Sequence, residues 1–171
     1  MTAPRRMTAP RRMDAPDPPT MFPHTVTLYT TRTEVNPATF REETTNYITI
    51  LRGVFVDASK AANVRASGIE GDDAVNLYVP FDVDATDGAT GEEKKYIGPV
   101  EFWRLEDKSG YWTLTTGQET WFVKGVALPP EGMDPGKVSD YINLTHDDAY
   151  NVTKVDEKDF GGLPHWEIGG A

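Results

Sequence analysis

The sequence predicts an all-β fold, a small β-barrel or sandwich of six or seven strands with long loops. Two observations carry that expectation. Apolar and polar residues alternate with a period of two in several short runs, and almost no segment repeats its apolar residues at helical spacing. Glycine and proline, 15 and 13 of 171 residues, punctuate the chain between those runs. The length fits one domain, so the expected organisation is a disordered Pro/Arg-rich tail over 1–20 and a single β-barrel domain over 21–171.

The tail reads MTAPRR, MTAPRR, MDAPDPPT, a duplicated hexapeptide followed by more proline, with nothing apolar to bury. Alternation begins after Phe22, where Val26 and Leu28 face one way and Thr25, Thr27 and Tyr29 the other. Asn36-Pro37 breaks this first strand. Thr44 to Ala58 is rich in β-branched and aromatic residues, and Gly53 in its middle predicts a bulge or bend. Ser59 to Asp73 holds small and charged residues with Gly68 and Gly71, and reads as a long mobile loop. Ala74 to Pro80 alternates again and reads as a strand.

Asp82 to Lys95 is acidic and nearly free of large apolar groups, which predicts a solvent-exposed loop; loops of this length are usually functional or disordered. Val100 to Leu105 fits either a helical turn or a strand. Tyr111 to Leu114 and Thr120 to Val126 flank Thr116-Gly117-Gln118 and read as a β-hairpin, with Trp112, Leu114, Trp121 and Val123 as its core residues. Leu128 to Gly136 reads as a loop. Tyr150 to Val155 and His165 to Ile168 are the last strands, separated by Gly161-Gly162-Leu163-Pro164.

Charge and composition exclude several functions. Asp and Glu outnumber Lys and Arg by 27 to 17, a net charge of −10, the wrong sign for binding nucleic acid by neutralising phosphates. The absence of cysteine removes disulfides, thiolate metal sites and a cysteine nucleophile. No window approaches the roughly 18 apolar residues of a membrane span, and the proline-rich start lacks the apolar segment of a secretory signal, so a soluble protein made inside the cell is expected.

Few motifs suggest chemistry. Counted from Asp82, an EF-hand-like calcium loop would place Thr86 fifth, Asp87 sixth, Gly88 seventh and Glu93 twelfth. The glycine is one place late and no flanking helices are expected, so the acidic run reads as a solvated loop. His146-Asp147-Asp148 offers an imidazole and two carboxylates, but neighbours in a strand point to opposite faces. No HExxH, GxSxG or phosphate-binding glycine loop occurs, and no catalytic, cofactor or metal site is expected. Phe102, Trp103, Tyr111, Trp112, Trp121 and Phe122 read as core and subunit-interface rings rather than a base-stacking platform, which would need a positive groove.

Taken together, MFPHTVTLYT, TNYITILRGVFVD, NLYVPF, YIGPVEFWRL and WTLTTGQETWFVKGVA, with a HWEIGG ending, resemble the minor capsid or head-closure (stopper) proteins of long-tailed bacteriophages and prophages. The resemblance spans roughly 21–127. It implies a non-enzymatic virion protein without cofactors, assembled in the host bacterial cytoplasm. Such a protein is a subunit of a homo-oligomeric ring at the head–tail connector. That ring closes the portal channel after packaging and docks the tail. The implied neighbours are a portal or adaptor ring and tail-terminator or tail-tube proteins. Double-stranded DNA passes without sequence-specific binding, and no membrane is involved. The alternatives are a tail-terminator or adaptor ring, or a β-barrel that binds a small ligand or carbohydrate. Within the connector reading, Asp82, Asp84, Asp87, Glu92 and Glu93 are expected to face the channel, where carboxylates repel DNA. Lys60, Arg65, Asp72 and Asp73 are expected on the contact or gate loop.

Overall fold

A computed structural model describes residues 21–65, 68–117 and 119–171, and over 59–65 and 68–73 it describes the backbone alone. The expected tail therefore lies outside the described residues. The elements are strands β1 (His24–Val35), β2 (Glu42–Arg65), β3 (Gly68–Pro80), β4 (Asp84–Asp87) and β5 (Lys95–Tyr96), then helix α1 (Pro99–Arg104). Strands β6 (Tyr111–Trp112) and β7 (Thr120–Lys124), helix α2 (Val138–Thr145), and strands β8 (Ala149–Lys158) and β9 (His165–Gly170) complete the chain. The fold is all-β, as the alternation predicts.

Six strands pair antiparallel into a closed ring, in the order β1-β7-β8-β9-β3-β2 and back to β1, with β4 added alongside β2. Closing the pairing removes the open edges of a flat sheet within the ring, although not along the part of β2 and β3 that extends beyond it. Gly53 lies where the β1–β2 register slips, since Thr25 sits opposite Arg52 and His24 opposite Val54. Its φ is +83°, so the bulge forms at the residue that adopts that angle without strain.

Alternate residues of the ring point inward: Val26, Leu28, Leu51, Leu77, Phe122, Val152 and Ile168 form one core, into which Trp112 and Leu114 also pack. A second core lies outside the ring. Tyr29, Trp121 and Val123, on the opposite face of β1 and β7, are covered by Val138 and Ile142 of α2. Tyr29 and Trp121 stack with centroids 3.9 Å apart and planes 4° from parallel. Strands β1 and β7 are thus buried on both faces, which is why Thr27 and Thr120 are fully buried as well.

Four sequence expectations need correction. Ser59 to Asp73 is not a loop: its backbone forms the distal arms of the β2–β3 hairpin, with Lys60 opposite Asp73, Ala61 opposite Asp72 and Arg65 opposite Gly68. Backbone pairing needs no apolar side chains, so a polar composition concealed it. Tyr111–Val126 is not a paired hairpin, because β6 runs parallel to β5 while β7 pairs with β1 and β8. The acidic segment contains a strand, β4. The fourth difference is α2, which falls where the sequence suggests no helix. Val138, Tyr141 and Ile142 carry its i, i+3, i+4 spacing, but eight residues that include Val, Asn and two of Ser/Thr give weak helix propensity. The segment around Val100, open to either reading from sequence, is helical, with Pro99 in the first turn.

Candidate functional site

The acidic segment is built as a strand, a tight turn and a return. The dipeptide Asp87-Gly88 opens the turn, a known reversal signal. The Asp87 carboxylate accepts the backbone N–H groups of Ala89 (2.8 Å) and Thr90 (3.0 Å). Backbone bonds Asp87 N–H to Glu92 O and Lys94 N–H to Ala85 O, both 2.8 Å, bring the chain back along β4. That return buries Lys94, whose side chain is 3% exposed. Its ammonium donates to Ile48 O (3.1 Å) and Thr49 Oγ1 (3.3 Å) and lies 3.1 Å from Asp87 Oδ2.

Asp87 is therefore part of the scaffold. Desolvation pushes its carboxyl upward, but the N–H groups of Thr90 and Ala89 and the Lys94 ammonium together outweigh it and hold it below the ordinary range. Asp82, Asp84, Glu92 and Glu93 are exposed on the same segment. Asp84 sits opposite Arg52, whose guanidinium donates to Thr86 Oγ1 at 2.9 Å. Asp82 and Glu93 stand on the rim of a cleft floored by aromatic rings.

The expected contact or gate residues Lys60, Arg65, Asp72 and Asp73 belong to the distal β2–β3 hairpin, and their side chains lie outside the described residues. In that hairpin β3 pairs with β9 only from Val75 to Pro80, and β2 pairs with β1 only up to Val54. From Ser59 and Ala74 onward the hairpin carries no third strand among the described residues.

The other candidate residues divide cleanly. Phe102, Trp112, Trp121 and Phe122 are buried. Tyr111 is exposed, and Trp103 is half-buried beneath the Arg32 guanidinium, 4.6 Å from its centroid. His146 and Asp148 do not converge: His146 Nδ1 meets Thr145 Oγ1 at 2.9 Å, while Asp148 accepts from the Tyr150 hydroxyl at 3.2 Å. Among the described residues no group of three or more His, Asp or Glu is placed to hold a metal ion. No described helix is long and apolar enough to cross a membrane. Sequence reasoning missed Lys94 as a buried cation; its only advance signal was the Asp87-Gly88 turn, which sends the chain beyond it back against β4.

Fold and site define a β-protein with a closed six-stranded ring, a hairpin extended beyond it and an acidic turn pinned by a buried lysine. The chain belongs to the family of unknown function DUF6751, whose model matches residues 21–171. No curated protein and no solved structure matches it.

Proposed function

We propose that this chain is a structural subunit of the phage head–tail connector, a ring subunit that closes the portal channel after DNA packaging and docks the tail. One observation carries the reading beyond the sequence resemblance. The β2–β3 hairpin continues past Ser59 as a two-stranded ribbon, and such a ribbon is at best marginally stable alone in water. Its distal seven residue pairs span about 23 Å at the usual rise per residue. A long unsupported arm on a closed strand ring suits a subunit that reaches neighbours in an assembly. The net charge of −10 and the exposed Asp82, Asp84, Glu92 and Glu93 suit a surface that DNA passes without sticking.

The test is electron microscopy of the purified protein, alone and mixed with portal complexes. Closed rings seated on the portal face are the expected result. Rings that bind only the tail end of the connector assign the chain to a tail-terminator or adaptor ring. A monomer indifferent to both partners overturns the proposal.

A further inference from the structure

Beside the acidic turn lies a cleft whose chemistry is independent of the connector reading. Its volume is about 500 Å³, within the range of sites that hold small ligands or side chains. Four rings form its wall. Trp166 lies 4.4 Å from Phe81 and 4.4 Å from Tyr96 between centroids, tilted by 43° and 47°. Trp112 meets Tyr96 at 5.1 Å and Trp166 at 5.4 Å, both edge to face.

Three carboxylates, Asp82, Glu93 and Glu157, line the same cleft. Lys94 also borders it, but its ammonium is held by Asp87, Ile48 O and Thr49 Oγ1. With Lys95 as the one further cation of the lining, the rim carries −2. Glu157 acts on the rings themselves: burial first, and then its negative charge, raises the Tyr96 hydroxyl above the ordinary phenol range. Trp166 adds an unmet demand. The residue is 4% exposed and its Nε1–H has no hydrogen-bond partner, and a buried donor left unpaired is costly.

Aromatic faces with carboxylates beside them attract cations, and an indole N–H asks for an acceptor. A bare ammonium ion supplies the first and not the second. A polypeptide supplies both, with a guanidinium to stack on the rings and a neighbouring carbonyl for the indole. Arginine suits the wall better than lysine because its planar, weakly hydrated head stacks on aromatic faces. We propose that this cleft docks an extended, arginine-bearing segment of a protein partner, with the guanidinium over Tyr96 and Phe81 and a main-chain carbonyl taken by Trp166. Because Trp166 is buried, this docking requires a neighbouring ring to shift as the carbonyl enters, and Phe81, packed on Trp166 and itself exposed, is the ring with room to do so.

The probe is acetyl-Ala-Pro-Arg-Arg-amide, the sequence of residues 3–6. The protein is the full chain with Arg5, Arg6, Arg11 and Arg12 replaced by Gln, so that its own repeats do not compete. The readout is the Trp166 indole N–H resonance in nitrogen-15-labelled protein, assigned by its loss in Trp166→Phe. A saturable shift at millimolar peptide or below is expected, with a much weaker response to the citrulline analogue, which keeps shape and loses charge. Glu157→Gln, at an exposed position, weakens binding by up to about fivefold, the upper end for one exposed ion pair. No saturable shift, or equal response to the citrulline peptide, overturns the proposal. A shift with methyl glucoside and none with the peptide makes the cleft a sugar site instead.

Discussion

Burying the Lys94 ammonium against Asp87, Ile48 O and Thr49 Oγ1 joins the acidic turn to β2. The two partners are not equivalent. Asp87 keeps the Ala89 and Thr90 N–H groups when the lysine is removed and its side chain is 27% exposed. Lys94 without Asp87 is a buried cation facing only a carbonyl and a hydroxyl. Lys94→Met is expected to cost about 1–3 kcal/mol in urea unfolding and Asp87→Asn more, toward ~3–5 kcal/mol, because it strands a charge. The double variant should cost less than the sum; equal single effects with strict additivity would show that the pair is not coupled.

His24 sets a pH dependence at the same scale. Its Nδ1 accepts the Val56 N–H at 3.0 Å, and burial, reinforced by Lys124, lowers its pKa. The unfolded chain takes up a proton as pH falls through about 6.5 while the native state does not yet do so, so stability falls with pH in that window. Above it the contribution is whole; below the lowered native value the loss levels off. Asp87, also lowered, adds a second loss, which begins as pH falls into the ordinary aspartate range, where the unfolded chain protonates first, and is complete only below its native value. His24→Gln should flatten the stability curve just below pH 6.5 and leave the acid limb intact, as read by urea midpoints at stepped pH.

Among the elements, β1 and β7 show most directly how tertiary cover alters a sequence pattern. Alternation marks Val26 and Leu28 as inward, but the outward set, Tyr29, Trp121 and Val123, is equally buried because α2 lies over it. The helix escaped sequence reading because Val138, Tyr141 and Ile142, the apolar residues at helical spacing, sit in a short segment with poor helix formers. A helix this short depends on the cluster that Val138 and Ile142 form with Trp121. The Gly53 irregularity was legible because a glycine inside a β-branched run marks a bulge or a bend, and the register slip with φ +83° makes it a bulge. The distal β2–β3 hairpin was not, since backbone pairing over Lys60 to Arg65 requires no apolar alternation. The same limit hid the cleft: Phe81, Tyr96, Trp112 and Trp166 come together only through the β3–β9 and β5–β6 pairings.

Trp121→Ala removes the ring stacked on Tyr29 and bonded through Nε1 to Thr31 Oγ1 at 3.3 Å, and should cost about 3–5 kcal/mol in chemical denaturation. A variant as stable as the parent would mean that α2 does not depend on this ring. Replacing residues 60–73 by an Asn-Gly turn, which keeps Ser59 opposite Ala74, should leave the unfolding midpoint close to the parent's, because no third described strand pairs with the excised arms. Under the proposed function the same variant fails to form rings on the portal. Large destabilisation would show that the hairpin packs on the strand ring.

For the whole molecule the question is where the acidic face points in an assembly. Duplex DNA carries about one negative charge per 1.7 Å of axis, so carboxylates lining a channel repel it over roughly a Debye length, about 8 Å at physiological salt. Asp87 cannot report on this, since its charge is committed to Lys94 and its loss would unfold the turn. Asp82, Asp84, Glu92 and Glu93 are exposed and can be neutralised to Asn or Gln with little effect on folding. The fourfold variant should keep its thermal midpoint and still assemble, while particles built from it retain or eject DNA differently from the parent. That difference should shrink as salt rises, because screening removes the repulsion that the substitution removes. Loss of ring or tail attachment with unchanged DNA handling would place these carboxylates at a subunit contact, and the distal hairpin would then be the segment facing the channel.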